Sequence, residues 1–196
     1  MKFIRKTTYY SGIVYEWNLP TGHTCPFAKE CLVKVDRESG KFDNKSDQYK
    51  CYAASAERFP AVRNHRWTNF DAVRRGERIE LPKKAEAVRI HMSGDFFSQA
   101  YFDQWLEICE ENSSVEFWAY TKSLNYWVNR LGSIPDNLVL TASYGGKHDR
   151  LIDEHDLKNV IVVKSKEEAI GRPIDYNDDI ARQPNVNFYL IDNFAK

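Results

Sequence analysis

From residue 85 onward the chain alternates short apolar segments with amphipathic ones at intervals of roughly 22 to 27 residues, a rhythm that leaves few folds open. Ala87 to Met92, Val115 to Tyr120, Leu138 to Ala142, Val160 to Lys164 and Asn187 to Ile191 read as strands, and Gly12 to Trp17 as an earlier one. Between them, Ser98 caps an apolar helix carrying Tyr101, Phe102, Trp105, Leu106, Ile108 and Cys109. Leu124 to Leu131 predicts a second helix, and residues 149–156 a weaker one. Val160 to Val163 is apolar without alternation, as a strand buried on both faces requires. The fold class is therefore α/β, with about six mostly parallel strands. Six are too few for a complete eight-stranded barrel and fit either a partial (β/α) barrel or an open sheet.

The 196 residues suit a single domain, 1–196. Hydrophobic residues make up 42% and charged residues 29%, enough for a real core and too apolar for a disordered chain. No apolar run exceeds four residues and Met1 to Lys6 lacks a signal-peptide core, so a cytoplasmic protein is expected. With 28 basic and 28 acidic side chains, no global charge draws the chain to nucleic acid or lipid.

Three of the four cysteines are grouped, Cys25, Cys31 and Cys51, and Cys109 stands apart. In a cytosolic chain such grouping suggests metal binding or catalysis rather than disulfides. Cys25 and Cys31 lie on a stretch, residues 18–51, rich in Gly, Pro, Asp, Asn and Lys, which reads as a long irregular loop of the kind that usually carries function. Helical spacing resumes at Tyr52 to Arg58 and again at Asn69 to Arg75, closed by Gly76. Thiolates bind zinc, or iron with sulfide. Cys-x5-Cys is wider than a zinc knuckle, and zinc would need a fourth ligand such as His23 or His65. A cubane is a larger object that suits wide, unequal spacing, and three cysteines would leave one of its irons open or lost. Unligated thiols are the third reading. Cys109 lies well along the helix begun by Ser98 and reads as a core residue.

Parallel α/β folds gather ligands at the carboxyl ends of their strands. There the sequence offers the cysteine loop, Ser93-Gly94-Asp95-Phe96-Phe97, Thr121-Lys122-Ser123 and Ser143-Tyr144-Gly145-Gly146. Trp17 to Pro26, Cys51-Tyr52-Ala53, Arg89 to Phe97 and Ala119 to Ser123 together resemble the phage gene product 88 family. More distantly they are similar to phage proteins of the radical SAM type, whose cluster loop ends in Cys-Tyr-Ala and whose later strands end in Asp-x-Phe and Thr-Lys elements.

The similarity covers roughly residues 12–145. It implies a radical-SAM-like partial barrel with a [4Fe-4S] cluster on Cys25, Cys31 and Cys51 and one open iron, in the cytoplasm of an infected host. In radical SAM enzymes that iron chelates S-adenosylmethionine. The resemblance puts Ser93, Gly94 and Asp95 where the methionine ammonium is held, Tyr52 where adenine is stacked, and Lys122 beside the cluster. The x5 and x19 spacings depart from the usual Cys-x3-Cys-x2-Cys, and the short chain leaves little room for a substrate domain. The cluster would serve radical chemistry, electron transfer with a redox partner, redox sensing or stability.

Bland readings stand beside these. Gly94-Asp95 serves equally as a turn and cap, Lys122 and Lys164 as solvated lysines, and His91 as a satisfied core histidine, expected to share the face of Ser93 and point inward. Residues 58–78 hold six arginines (Arg58, Arg63, Arg66, Arg74, Arg75, Arg78) against Asp71 and Glu77, interleaved with Phe59, Trp67 and Phe70. Such a segment reads as a helix face whose acidic partners lie elsewhere, or suits single-stranded nucleic acid; the alternative function is a zinc-stabilised nucleic-acid-binding module.

Overall fold

A computed structural model describes residues 1–44 and 51–192; the part of the expected cysteine loop at 45–50 lies outside them. In chain order the elements are β1 (Ile4–Lys6), β2 (Val14–Trp17), β3 (Val33–Val35), β4 (Phe42–Asn44), α1 (Tyr52–Ala56), α2 (Pro60–Arg74), β5 (Ala87–Ile90), α3 (Gln99–Glu111), β6 (Glu116–Thr121), α4 (Leu124–Val128), β7 (Leu138–Ser143), α5 (Arg150–Glu154), β8 (Asn159–Val163) and β9 (Phe188–Ile191). Seven strands form one sheet in the order β1-β2-β5-β6-β7-β8-β9, and β3 pairs with β4 in a separate hairpin. β1 runs antiparallel to β2, and the remaining six are parallel, neighbour to neighbour in chain order.

Alternation along the strands sorts side chains between two buried faces. On the outer face Trp17, Val88, Ile90, Phe117, Ala119, Leu138, Leu140 and Ala142 form one core with the apolar stripes of α3, α4 and α5. The Ser98 hydroxyl caps α3 by accepting from the Tyr101 amide. The 3.6-residue period then turns Phe102, Trp105, Leu106 and Cys109 inward. Phe102 and Trp105 are fully buried, and truncating either to alanine costs about 3–5 kcal/mol. On the inner face Val14, Ala87, Trp118, Val160 and Phe188 pack with Tyr10 and Ala181, which come from irregular segments rather than helices.

The expected six parallel strands are all present. The structure adds β1, and it folds part of the supposedly irregular loop into the β3–β4 hairpin. α2 starts at Pro60, nine residues before the expected Asn69. Proline at the first helical position sacrifices no hydrogen bond. The buried side of this helix is Arg63, Arg66, Asn69 and Ala72, polar where a search for apolar periodicity looks for a core.

His91 also departs from expectation. β5 ends at Ile90, and at His91 φ turns to +66°. That conformation is rare outside glycine and carries the ring away from the inner face, against Phe96 and Tyr101.

Candidate functional site

The loops after β2, β5, β6 and β7 meet at the carboxyl end of the sheet, and the cysteine-bearing segment is fastened across them. Near β5, Leu19 donates its amide to the Ser93 carbonyl at 3.0 Å, and the Ser93 hydroxyl donates to the Leu19 carbonyl at 2.8 Å. The Ser93 amide donates to Asn18 Oδ1 at 3.1 Å. Gly94, at φ +83°, lies so close that a Cβ would stand 2.6 Å from Thr24 Oγ1 and 2.7 Å from Leu19 Cβ; only glycine lets the two loops touch.

Further along, the amides of Lys29 and Glu30 donate to the Gly145 carbonyl, and Ala28 bridges Gly146. Phe27 packs its ring against Tyr126 and His148 at 5.3 and 4.8 Å. The stretch holding Cys25 and Cys31 thus spans the mouth from β2 to β7.

Cys51 sits at the N-cap of α1, and buried ion pairing locks that helix to the same stretch. Glu57 Oε1 accepts from the amide and hydroxyl of Thr21, both at 2.7 Å, and from Arg66 Nη1 at 2.8 Å. Arg66 Nη1 also donates to the Ala53 carbonyl. Arg63 donates to the carbonyls of Arg37, Glu38, Glu57 and Arg58. Sequence reasoning missed Glu57 and read both arginines as surface charge; nothing in their spacing marks a buried latch.

The three thiols act on one another. The residues are partly exposed as wholes, yet burial is the largest influence on two of the sulfurs. Burial, then Asp95, then Cys51 and Cys31 hold the Cys25 thiol well above its ordinary range. Burial and the Cys31 charge push Cys51 to about 11, against the Ala53 and Ala54 amides and Arg66. Thiolates gathered this way are unfavourable until a cation offsets them. No group of three His, Cys, Asp or Glu side chains among the described residues is arranged to hold a metal ion. Cys109 is 0% exposed in the outer core, remote in the fold from this mouth.

The other expected site residues converge here, each with internal partners. Asp95 Oδ1 accepts from the Phe96 amide and the Thr121 hydroxyl, and Oδ2 from the Lys122 amide. Burial raises this carboxyl to about 6. Lys122 Nζ donates to Ser143 O, Ser143 Oγ and Tyr144 O at 2.6–3.1 Å, so it is a strut between strand ends and not a solvated lysine. Tyr52 is 40% exposed overall, while its hydroxyl points inward, donating to the Met92 carbonyl at 2.8 Å.

The two histidines considered as zinc ligands are placed otherwise. His23 Nε2 meets the Val35 carbonyl at 3.0 Å, and His65 Nε2 meets Asn69 Nδ2 on α2.

The basic segment does not form a free cationic strip. Besides the buried Arg63 and Arg66, Arg75 pairs with Glu77 at 2.6 Å and Arg78 with Glu111. Arg74 lies over the Phe70 ring, and Arg58 Nε donates to the Ser55 carbonyl.

No helix among the described residues is long and apolar enough to cross a membrane. No solved structure matches the chain. Among curated proteins, the Gene 88 protein of Mycobacterium phage L5 is 28% identical over 152 residues, covering 66% of this chain and 56% of the relative. The Gene 88 protein of Mycobacterium phage D29 is 28% identical over 134 residues, covering 57% and 48%. The chain therefore spans about half the length of the curated relatives it matches. The Gene product 88 family matches residues 2–190, almost the whole chain, and the protein belongs to that phage family.

Proposed function

We propose that this is an iron–sulfur protein in which Cys25, Cys31 and Cys51 hold a [4Fe-4S] cluster with one iron lacking a cysteine, at the mouth of a radical-SAM-like partial barrel. The observation that carries the reading is the meeting of three thiols from two chain stretches at one mouth, each within electrostatic reach of another. A cubane carries its thiolates on different irons, farther apart than ligands of one ion. The wide, unequal spacing of the three cysteines suits it better than zinc. The barrel reading draws on six parallel strands in chain order with α3, α4 and α5 on one face, the arrangement in which a sheet curls around its other face.

When bound, the cluster supplies one-electron chemistry and an open iron for a small chelating ligand such as S-adenosylmethionine. The chain's own residues hold and shield it. Ser93 and Gly94 seat the Cys25 loop, Glu57 and Arg66 hold α1 against it, and Lys122 ties β6 to β7. Asp95 Oδ2 accepts one hydrogen bond and keeps capacity for a ligand ammonium, and the exposed Tyr52 ring offers a face for stacking.

Protein purified without oxygen should be brown, with broad absorption near ~400 nm that zinc cannot give. Cys51→Ala should lose iron and colour, and Cys109→Ala should keep both. Colourless, iron-free wild type, or equal iron loss in the two variants, would end the assignment. Calorimetry with S-adenosylmethionine on the loaded protein separates an enzyme from a redox or structural centre, because only the enzyme requires that affinity.

A further inference from the structure

The inner sheet face carries charge where simple covering would need none. The outer face is apolar from Val88 to Ala142, yet Glu16, Arg89, Tyr120 and Thr141 occupy the inner face by strand alternation. Buried ion pairs are seldom more stable than apolar packing of the same volume. Departures of this kind concentrate where a protein binds something.

Two donors and a cation converge on a single carboxylate. Arg89 Nε lies 2.9 Å from Asp178 Oδ2, Trp118 Nε1 donates to the same oxygen at 3.1 Å, and the Tyr120 hydroxyl donates to Oδ1 at 2.9 Å. The Arg89 guanidinium also lies over the Tyr120 ring at 5.1 Å. A set of this kind suits a carboxylate, and the one it holds comes from the irregular stretch between β8 and β9, with φ of +64° at Asp178.

The receptor has more capacity than Asp178 uses. Thr141, in register with Tyr120, is 1% exposed and its Oγ1 has no partner among the described residues.

We propose that the inner face is a binding chamber for a small carboxylate, gripped by Arg89, Trp118 and Tyr120 with Thr141 as a further partner. Asp178 is an internal stand-in that the ligand displaces. The turn bearing Asp178 is closed on itself, since Asp175 Oδ2 accepts from the amides of Ile180 and Ala181. Lys158 Nζ grips its far end through the carbonyls of Ile180, Ala181 and Gln183. Displacement of Asp178 therefore loosens a turn whose amides these bonds protect.

Acetate is the probe, compared with chloride at equal ionic strength. In wild type, acetate should speed amide hydrogen exchange of residues 175–181 severalfold and leave β5 and β6 unchanged. Unchanged exchange at 175–181 makes Asp178 a permanent strut and overturns the displacement. Asp178→Ala should show a saturable, acetate-dependent rise in Tm that is absent when Arg89→Met is added. Indifference of Asp178→Ala to acetate, or an equal rise in the double variant, overturns the chamber. Should Asp178→Ala fail to fold, wild-type exchange decides alone. None of these residues is a proposed cluster ligand, so the measurements hold on iron-free and iron-loaded protein alike and are separable from the cluster reading.

Discussion

His91 shows how a single side chain can couple backbone strain to titration. Its φ of +66° places the ring in the outer core, where Nε2 meets the Tyr101 hydroxyl at 2.8 Å. The Tyr101 oxygen already accepts from Trp17 Nε1 at 2.8 Å, which leaves the tyrosine proton for a neutral His91 Nε2. Burial accordingly lowers the histidine to about 3. Between that value and the ordinary 6.5 the unfolded chain binds a proton that the native state refuses, so this contribution is complete above pH 6.5 and lost as pH falls toward 3. Asp95, raised to about 6, works in the opposite direction: the native carboxyl keeps its proton longer, and that contribution disappears as pH rises from 3.8 toward 6. The two slopes oppose each other in wild type, so only a difference measurement isolates His91. His91→Asn, which tolerates the left-handed backbone, should gain on wild type by about 1.4 kcal/mol per pH unit below 6.5. Denaturant melts at pH 6.5 and pH 5 should show about 2 kcal/mol of relative gain. Parallel pH profiles for the two proteins would contradict a neutral His91.

At the scale of elements, α2 explains both what the sequence conceals and what holds the site together. Its inward face is Arg63, Arg66, Asn69 and Ala72, and the guanidinium groups take the carbonyls that irregular chain leaves over near the cysteines. A reading based on apolar spacing therefore starts the helix too late and assigns its arginines to the surface. α3 was fully legible for the converse reason, because a capping serine and an apolar stripe agree with each other. The β3–β4 hairpin was hidden because its three-residue strands are too short to display alternation. The latch of α2 is open to test. Glu57 is 0% exposed and relies on Arg66 for charge, so Arg66→Met leaves a buried carboxylate unpaired. It should cost about 3–5 kcal/mol and release α1 from the Thr21 turn. A thiol reagent should then label Cys51 faster than in wild type while Cys109 labelling is unaltered, and equal acceleration at both would indicate global unfolding instead.

Over the whole molecule, six parallel strands were legible because each is a short apolar segment set off by polar or helical stretches. Their order follows from chain order, since every described connection from β5 to β8 is a short helical crossover. The positions of Cys25, Cys31, Ser93, Asp95 and Lys122 at the carboxyl ends followed from the same pattern. What each does was not legible, because Lys122 and Asp95 find their partners on neighbouring strands far away in sequence. The same blindness affects charge. Six arginines within residues 58–78 look like a nucleic-acid strip when only their neighbours in sequence are counted. In the fold each has a carbonyl, a carboxylate or an aromatic ring beside it, and the chain as a whole carries no net charge. Phosphate binding requires several cations able to release counterions together, and a guanidinium already paired with a carboxylate contributes less to it. A labelled single-stranded oligonucleotide should therefore show no saturable anisotropy change at physiological salt. Affinity that falls steeply with salt, and falls further in an Arg58→Gln/Arg74→Gln variant, would restore the strip as a binding surface.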